Sequence, residues 1–290
     1  MIAFRNEESR KHLTDRIGGF EARLPGPLEH RVVETRFGAT HVTFGGLDSG
    51  PVLVVVHGAM ASSAHALGEI IPLFHSHRVV GVDVIGQSPR SADARLPLTG
   101  EACTGWLTDV LDALNFERVH LLGVSWGGFV ASRAAAGAPA RFISLTLVVP
   151  AGFIRSPVVS ALMEVAIPMV GWRLFGHRPS LRRLYDALFS TFDPAWFDWF
   201  TDSTLHFNTD FTAPPLAQPA DVRAWTGPTL VVGGTYDLSF PGVPLLRRIH
   251  ELWPEAELEL VQCRHAPPFL DTYRAWFSER VERFIAASAG

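Results

Sequence analysis

One serine of this chain lies between two glycines at a spacing that suits a nucleophile. The stretch HLLGVSWGGFVA covers residues 120–131, with Gly123 and Gly127 two positions on either side of Ser125. An apolar run precedes the serine and small residues suited to a helix follow it, so the pattern predicts a sharp strand-to-helix turn. Such a turn exposes a hydroxyl and requires small flanking residues. The alternative is a tight packing turn whose serine does no chemistry.

Strand-like and helix-like segments alternate on both sides of this turn. The predicted strands are a hairpin at 30–45 and apolar runs at 51–58, 78–86, 118–125, 143–150, 228–237 and 256–263. The predicted helices are 62–74, 101–115, 126–138, 243–253 and 271–287. Continuous apolar runs are typical of strands buried on both faces. The fold class is therefore predicted to be α/β, with a mostly parallel sheet flanked by helices.

The alternation breaks once, between the strand that ends at Pro150 and the next predicted strand. Residues 151–221 contain no clear β run and are rich in proline and aromatic residues. We therefore predict an α/β core formed by 1–150 and 222–290, with an inserted helical cap at 151–221. A cap would cover the carboxyl edge of the sheet, where open α/β sheets bind ligands. Alternatively, the inserted helices only add to the core.

The aromatic residues of this region indicate what a cap could bind. Phenylalanine and tryptophan offer large apolar contact areas and little polar discrimination. We expect a small-molecule substrate that is apolar or aromatic and of small to medium size. Phe153, Trp172 and Trp126 are the candidate substrate-contacting residues.

Several separated motifs of the chain resemble, in order, those of the α/β-hydrolase superfamily. The likeness is greatest to single-chain bacterial carboxylesterases with a helical cap, and it covers about residues 30–287. The motifs are the turn at Ser125, the His-Gly pair at 57–58, the DVIGQSPRS loop at 83–91 and the His-x-Pro ending at His265. The resemblance implies an α/β-hydrolase fold and hydrolysis of an ester.

The resemblance also implies a catalytic triad. In the family a histidine follows the last strand, which is the place of His265, and an acid follows the next-to-last strand, which is the place of Asp237. A serine hydroxyl needs such a base, and the base needs an acid that orients it. The chain order Ser125, Asp237, His265 is the order of this fold. For Asp237 alone, a helix cap or a turn is the alternative.

An oxyanion hole is expected beside the serine. The helix that follows Ser125 directs free N–H groups at the site, so the Trp126 N–H is one expected donor. The resemblance implies a second donor from the loop after the strand at 51–56, either the Ala59 N–H or the Met60 N–H. It also implies that His57 orders this loop.

Other reactions remain open on the same residues. The alternatives are hydrolysis of a thioester, lactone or amide, cleavage of a carbon–carbon bond, and a small-ligand receptor of this fold without catalysis. The stretch HGAMASSAH lacks the glycines of ring-cleavage hydrolases, which disfavours carbon–carbon cleavage. A serine at position 125 argues against epoxide or dehalogenation chemistry.

Composition excludes other classes of function. The 290 residues carry a formal net charge of −4, which gives no electrostatic case for nucleic acid. Two distant cysteines and scattered histidines predict neither a disulfide framework nor a metal site, and no cofactor is expected. The charged first residues do not resemble a signal peptide, and no membrane span is predicted, so we expect a cytoplasmic protein. The oligomeric state is undecided, and a homodimer is one state the sequence allows.

Overall fold

The computed structural model describes residues 3–157, 161–208 and 212–288. Parts of the predicted cap, at 158–160 and 209–211, lie outside the described residues. Eight strands form one sheet in the order β1-β2-β4-β3-β5-β6-β7-β8. The strands are β1 (Glu29–Thr35), β2 (Gly38–Gly46), β3 (Val52–Val56), β4 (Arg78–Val82), β5 (Val119–Val124), β6 (Phe142–Val148), β7 (Thr229–Gly234) and β8 (Glu257–Val261).

The sheet is mostly parallel, which confirms the predicted fold class. Strand β2 pairs antiparallel with β1 and with β4, and the other neighbouring strands pair in parallel. Parallel strands end at the same edge of a sheet, so the residues that follow β3, β5, β7 and β8 can meet there. The predicted triad and oxyanion-hole residues follow these four strands.

Ten α-helices and three shorter helical segments accompany the sheet in the described residues. The α-helices are α1 (Glu7–Glu21), α2 (Ser63–Leu67), α3 (Gly100–Ala113), α4 (Trp126–Gly137), α5 (Ile167–Phe175), α6 (Arg178–Leu188), α7 (Pro194–His206), α8 (Pro219–Val222), α9 (Gly242–Leu252) and α10 (Asp271–Ser288). The shorter segments are two 3₁₀ turns, Ile71–His75 and Pro139–Arg141, and a π-helical segment, Ala161–Ala166.

Helices cover both faces of the sheet, because successive strand side chains point to opposite faces. In β3, Val54 and Val56 face a core shared with α3, α4 and α9. Leu53 and Val55 face a second core shared with α2 and α10. This double burial explains the unbroken apolar runs of the sequence.

One predicted helix is interrupted. The segment 62–74 was expected to be a single helix, but α2 ends at Leu67 and a 3₁₀ turn follows at Ile71–His75. Pro72 lies in that turn, and its ring and missing N–H disfavour a continuous α-helix. The break places Glu69 between two helical segments.

The sequence analysis missed helix α1. Its N-cap is Asn6, whose side chain accepts a hydrogen bond from the Ser9 N–H at 2.8 Å. Leu13, Ile17 and Phe20 recur at helical spacing and form a small core with Trp199 and Phe207, which belong to the region between β6 and β7. The cap signal at Asn6 and this spacing are what sequence inspection could have used.

Two further features of the described residues concern membrane spans and cysteines. Within residues 3–157, 161–208 and 212–288, no helix has the length and apolar character that a membrane crossing needs. Cys103 and Cys263 are both free and buried.

Candidate active site

Ser125 lies in a strained turn between β5 and α4. Its backbone has φ 52° and ψ −112°, in a region that residues with a Cβ rarely adopt. The flanking glycines are required by close packing. A Cβ on Gly123 would lie 2.5 Å from the carbonyl oxygen of Gly127, and a Cβ on Gly127 would lie 2.1 Å from the carbonyl oxygen of Val56. The turn holds the hydroxyl at the carboxyl edge of the sheet.

Three side chains from distant parts of the chain form one hydrogen-bonded series at this edge. The Oγ of Ser125 is 2.9 Å from Nε2 of His265. The Nδ1 of His265 is 2.9 Å from Oδ2 of Asp237. Both distances are within the range of hydrogen bonds. The structure thus brings together the three residues that the sequence predicted to be a triad.

Asp237 is oriented by the backbone. Its Oδ1 accepts hydrogen bonds from the N–H groups of Ser239 at 2.7 Å and of Phe240 at 3.0 Å. The whole residue is only 2% exposed. With Oδ1 occupied in this way, Oδ2 remains directed at His265, and the carboxylate can hold one tautomer of the imidazole, with the proton on Nδ1.

The loop after β3 lies beside the serine and is ordered by His57. The Nδ1 of His57 is 2.6 Å from the Gly58 carbonyl oxygen, and its Nε2 accepts a hydrogen bond from the Val84 N–H at 2.9 Å. Burial lowers the pKa of His57, although nearby Asp83 opposes this, so the ring is neutral and can donate at one nitrogen and accept at the other. These bonds agree with a structural role.

The two expected donors of this loop differ in their surroundings. The Met60 N–H already donates to Oε1 of Gln87 at 3.0 Å. Ala59 lines the same cavity as Ser125. A Cβ placed on Gly58 would lie 3.5 Å from the Ser125 Cβ, which shows how closely the loop approaches the serine.

Asp83 fixes the position of the neighbouring loops. Its Oδ2 is 2.7 Å from Nδ1 of His41, and its Oδ1 accepts a hydrogen bond from the Ser63 N–H at 2.6 Å. Burial by itself raises the pKa of Asp83, but its hydrogen bonds with His41 and with the Ser63 N–H hold this pKa below its usual value. The carboxylate therefore stays ionised and joins β2, α2 and the loop after β4.

A cavity of about 290 Å³ opens above the serine. Its floor is formed by Ser125, His265 and the loop after β3. Its wall is largely apolar and comes from α6, α7 and the segment after His265, with Leu188, Phe189, Trp196, Trp199, Phe200 and Phe269. The Nε1 of Trp199 donates a hydrogen bond to the Met60 carbonyl oxygen at 2.9 Å, which ties the wall to the floor.

The three side chains predicted to contact a substrate do not line this cavity. Phe153 is 2% exposed and packs against Trp253 in the core below the sheet edge. Trp172 donates from Nε1 to Oγ1 of Thr204 at 2.8 Å. The Trp126 ring packs edge-on against Phe129. Apolar bulk alone did not distinguish cavity residues from core residues.

The aromatic residues that do line the cavity have a recognisable pattern. Trp196, Trp199 and Phe200 lie at positions i, i+3 and i+4 of α7 and therefore share one face of the helix. This spacing marks one apolar face of α7, but it does not indicate which neighbour that face covers. No local pattern marks His65 and Glu69, which also line the cavity.

Among the described residues, one group has ligand atoms close enough to hold a metal ion. His12, Asp202 and His206 offer atoms within 4.8 Å of one another where α1 meets α7. Nε of Arg16 already donates to Oδ2 of Asp202 at 2.8 Å, and this guanidinium opposes a cation. None of these residues lines the cavity above Ser125.

Comparison with known proteins agrees with the fold. Residues 53–280 match the model of the "Alpha/beta hydrolase family", so the chain belongs to this family. An uncharacterized carboxylesterase, nap, of Bacillus subtilis is 25% identical over 268 residues, which are 89% of this chain and 87% of the relative.

Two further matches come from the same organism. Carboxylesterase YbfK is 34% identical over 127 residues, which are 43% of each chain. The crystal structure of naproxen esterase (carboxylesterase NP) superimposes with a TM-score of 0.81 at 22% identity and covers 97% of this chain and 99% of that one. At this identity the structural match shows the fold alone.

Proposed function

We propose that this protein is a serine carboxylesterase that cleaves esters of small to medium apolar or aromatic compounds. The observation that carries the proposal is the hydrogen-bonded series of Ser125, His265 and Asp237 at the base of an apolar cavity. The carboxylesterases of Bacillus subtilis to which the chain is similar support the reaction type. Many serine hydrolases perform acyl transfer with this constellation.

His265 is the general base in this proposal. Because Asp237 accepts a hydrogen bond from the Nδ1–H group of His265, the lone pair of Nε2 faces the Ser125 hydroxyl. Nε2 removes the hydroxyl proton as Oγ attacks the ester carbonyl carbon, and Asp237 stabilises the imidazolium that forms. Nε2 then gives the proton to the leaving alcohol. Water repeats the sequence on the acyl-enzyme and releases the acid.

The oxyanion of each tetrahedral intermediate needs donors that are already in place. We assign this role to the N–H groups of Trp126, at the start of α4, and of Ala59. Met60 is the weaker candidate because its N–H is held by Gln87. Removal of one such donor in enzymes of this type typically lowers kcat by about 10² to 10³.

The inserted helices act as the cap in this proposal. The described residues of 151–221 supply Leu188, Phe189 and the aromatic face of α7 to the cavity. An apolar wall binds the carbon skeleton of a substrate through its buried area. Helix α1 packs against α7 and forms part of the support of the cap.

A labelling experiment tests the proposal directly. A fluorophosphonate probe is expected to label Ser125, and p-nitrophenyl esters of graded chain length are expected to be hydrolysed. The Ser125→Ala variant should lose both properties, with kcat lower by at least about 10³-fold. Ser49→Ala, which changes an exposed serine in a loop, is the matched control and should keep both.

Three outcomes separate the alternatives. Labelling without ester hydrolysis would point to another acyl substrate, such as a thioester or a lactone. Tight binding of a small ligand without labelling would support a receptor. Ester hydrolysis that survives in Ser125→Ala would refute the assignment of the nucleophile.

A further inference from the structure

Besides Ser203 and Ser239, the polar side chains of His65 and Glu69 interrupt the apolar wall of the cavity above Ser125. His65 and Glu69 lie one helical turn apart, on α2 and just after it, and both line the cavity. Nε2 of His65 and Oε2 of Glu69 are buried atoms without a hydrogen-bond partner among the described residues. Buried polar groups are nearly always paired in folded proteins, so two unpaired atoms on one cavity wall indicate a missing partner.

The unpaired nitrogen of His65 is a donor. Its Nδ1 accepts a hydrogen bond from the Ser62 N–H at 3.2 Å, so the proton of the neutral ring is on Nε2. The ring is neutral because burial holds the pKa of His65 well below its usual value. His65 is 2% exposed, and its ring packs at 4.0 Å from Phe20 and at 4.3 Å from Trp199, measured between ring centroids. Side-chain packing therefore fixes the direction of the N–H.

The unpaired oxygen of Glu69 is available beside it. Arg274 donates from one guanidinium nitrogen to Oε1 of Glu69 at 3.3 Å, which leaves Oε2 free. Trp196 and Phe269 stack at 5.0 Å and, with His65 and Glu69, separate the main cavity from a second one of about 110 Å³. The two unpaired atoms thus belong to side chains that line both the substrate cavity and the second cavity.

We propose that His65 and Glu69 form a polar subsite that binds a hydroxyl group at the remote end of the ester substrate. The inference rests on the proposed carboxylesterase function and names the substrate class of that site. A hydroxyl is suited to this pair because it can accept a hydrogen bond from Nε2–H of His65 and donate one to Oε2 of Glu69. An alkyl end of equal length leaves both atoms unpaired, and sites built for a hydroxyl discriminate strongly against such analogues.

The test compares esters that differ only in the terminal hydroxyl. One series consists of p-nitrophenyl ω-hydroxyalkanoates of increasing length and the matching p-nitrophenyl alkanoates. A second series places the hydroxyl on the alcohol side, with ω-hydroxyalkyl and alkyl butanoates. We expect the kcat/KM ratio of the hydroxylated to the plain ester to exceed about 10 at one chain length of one series.

Variants test whether His65 and Glu69 cause the preference for hydroxylated esters. Glu69→Leu and His65→Phe are expected to reduce the ratio to about 1, since each removes one hydrogen bond and leaves apolar bulk. Glu69→Gln keeps an acceptor oxygen and should retain most of the preference. Glu255→Leu, which changes an exposed glutamate, is the matched control and should leave the ratio unchanged. Thermal unfolding of each variant shows whether it is folded.

The possible failures of the two proposals can be told apart. Hydrolysis of plain and hydroxylated esters with equal kcat/KM at every length overturns the polar subsite and leaves the esterase proposal intact. A preference that persists in both Glu69→Leu and His65→Phe also overturns it, because other residues then recognise the hydroxyl. Absence of fluorophosphonate labelling and of all ester hydrolysis overturns both proposals.

Discussion

The sheet edge that carries Ser125 and the wall that encloses the cavity are held by different forces. At the edge, Asp237, His265 and the loop after β3 are positioned by hydrogen bonds, several of them from backbone N–H groups. In the wall, Trp196, Phe189 and Phe269 are positioned by ring contacts with centroids 5.0 to 5.9 Å apart. One region has directional contacts, and the other has contacts that depend mainly on buried area.

This difference suggests separate roles in the proposed reaction. Hydrogen bonds weaken steeply when their geometry changes, so the edge can hold reacting atoms at fixed distances. Aromatic contacts tolerate changes of side-chain shape better, so the wall can differ between relatives without loss of chemistry. We therefore expect changes at the edge to lower kcat, and changes in the wall to alter substrate preference and stability.

The largest expected effect is at the edge. Asp237→Asn keeps the shape of the side chain but no longer favours the tautomer with the proton on Nδ1 of His265. We expect kcat for a p-nitrophenyl ester to fall by about 10⁴-fold with a small change in KM. The measurement is steady-state kinetics, with the exposed Asp48→Asn as control. A loss smaller than about tenfold would mean that another acid orients His265.

A second prediction concerns stability and the polar part of the wall. Burial raises the pKa of Glu69 to about 7, although Arg274 opposes this. A raised pKa means that the folded state binds the proton more tightly than the unfolded state, so stability falls as pH rises from about 4.5 to 7. Ionisation of Glu69 over this pH range lowers the free energy of unfolding by about 2 to 4 kcal/mol. The Glu69→Gln variant should lack this decrease.

Urea unfolding at a series of pH values measures this difference. The free energy of unfolding of Glu69→Gln minus that of the wild type should increase from pH 4.5 to pH 8, while Glu255→Gln follows the wild type. A constant difference over this range would show that Glu69 ionises in the folded protein as it does in the unfolded chain.

A smaller effect is expected from enlarging the wall. Phe200→Ala removes a ring that lines the cavity, so longer acyl chains should fit. We expect the kcat/KM ratio of a long to a short p-nitrophenyl ester to rise by about tenfold. Phe192→Ala is the control, since this ring is 48% exposed and does not line the cavity. An unchanged ratio would place the acyl chain elsewhere.

The smallest expected effect comes from removing the hydrogen bond that joins the cavity wall to the loop after β3. Trp199→Phe keeps an aromatic ring in place but removes the hydrogen bond to the Met60 carbonyl oxygen. One neutral hydrogen bond contributes about 1 kcal/mol, so kcat should fall by about fivefold as the loop after β3 loosens. Trp225→Phe loses a similar bond, to Thr229, at a buried position outside the cavity lining. It should change stability but leave kcat unaltered.

Sequence reasoning succeeded where a residue's position follows from the strand that precedes it. Ser125, Asp237 and His265 each follow a predicted strand, and parallel strands end at one edge, so their proximity could be expected. It did not predict α1, although the Asn6 cap and the apolar spacing of this helix are local signals; only the structure shows that α1 packs against α7. The predicted helix at 62–74 was wrong for a local reason, because Pro72 lies in the 3₁₀ turn that interrupts it.

The cavity wall shows most clearly what could not be predicted from the sequence. Phe153 and Trp199 are both large aromatic residues of the region between β6 and β7, yet one lies in the core and the other lines the cavity. Periodicity identifies the apolar face of a helix but does not state which neighbour that face covers. The position of α7 depends on α1 and on the Met60 carbonyl oxygen, which are far away in the chain.

The amino-acid sequence by itself determined the alternation of strands and helices and the small residues that the turn at Ser125 requires, because both follow from local periodicity and sterics. Only the tertiary structure decided which aromatic rings face the cavity and left His65 and Glu69 with unpaired atoms beside it. Those features arise from contacts between segments distant in the chain, and no local pattern encodes them.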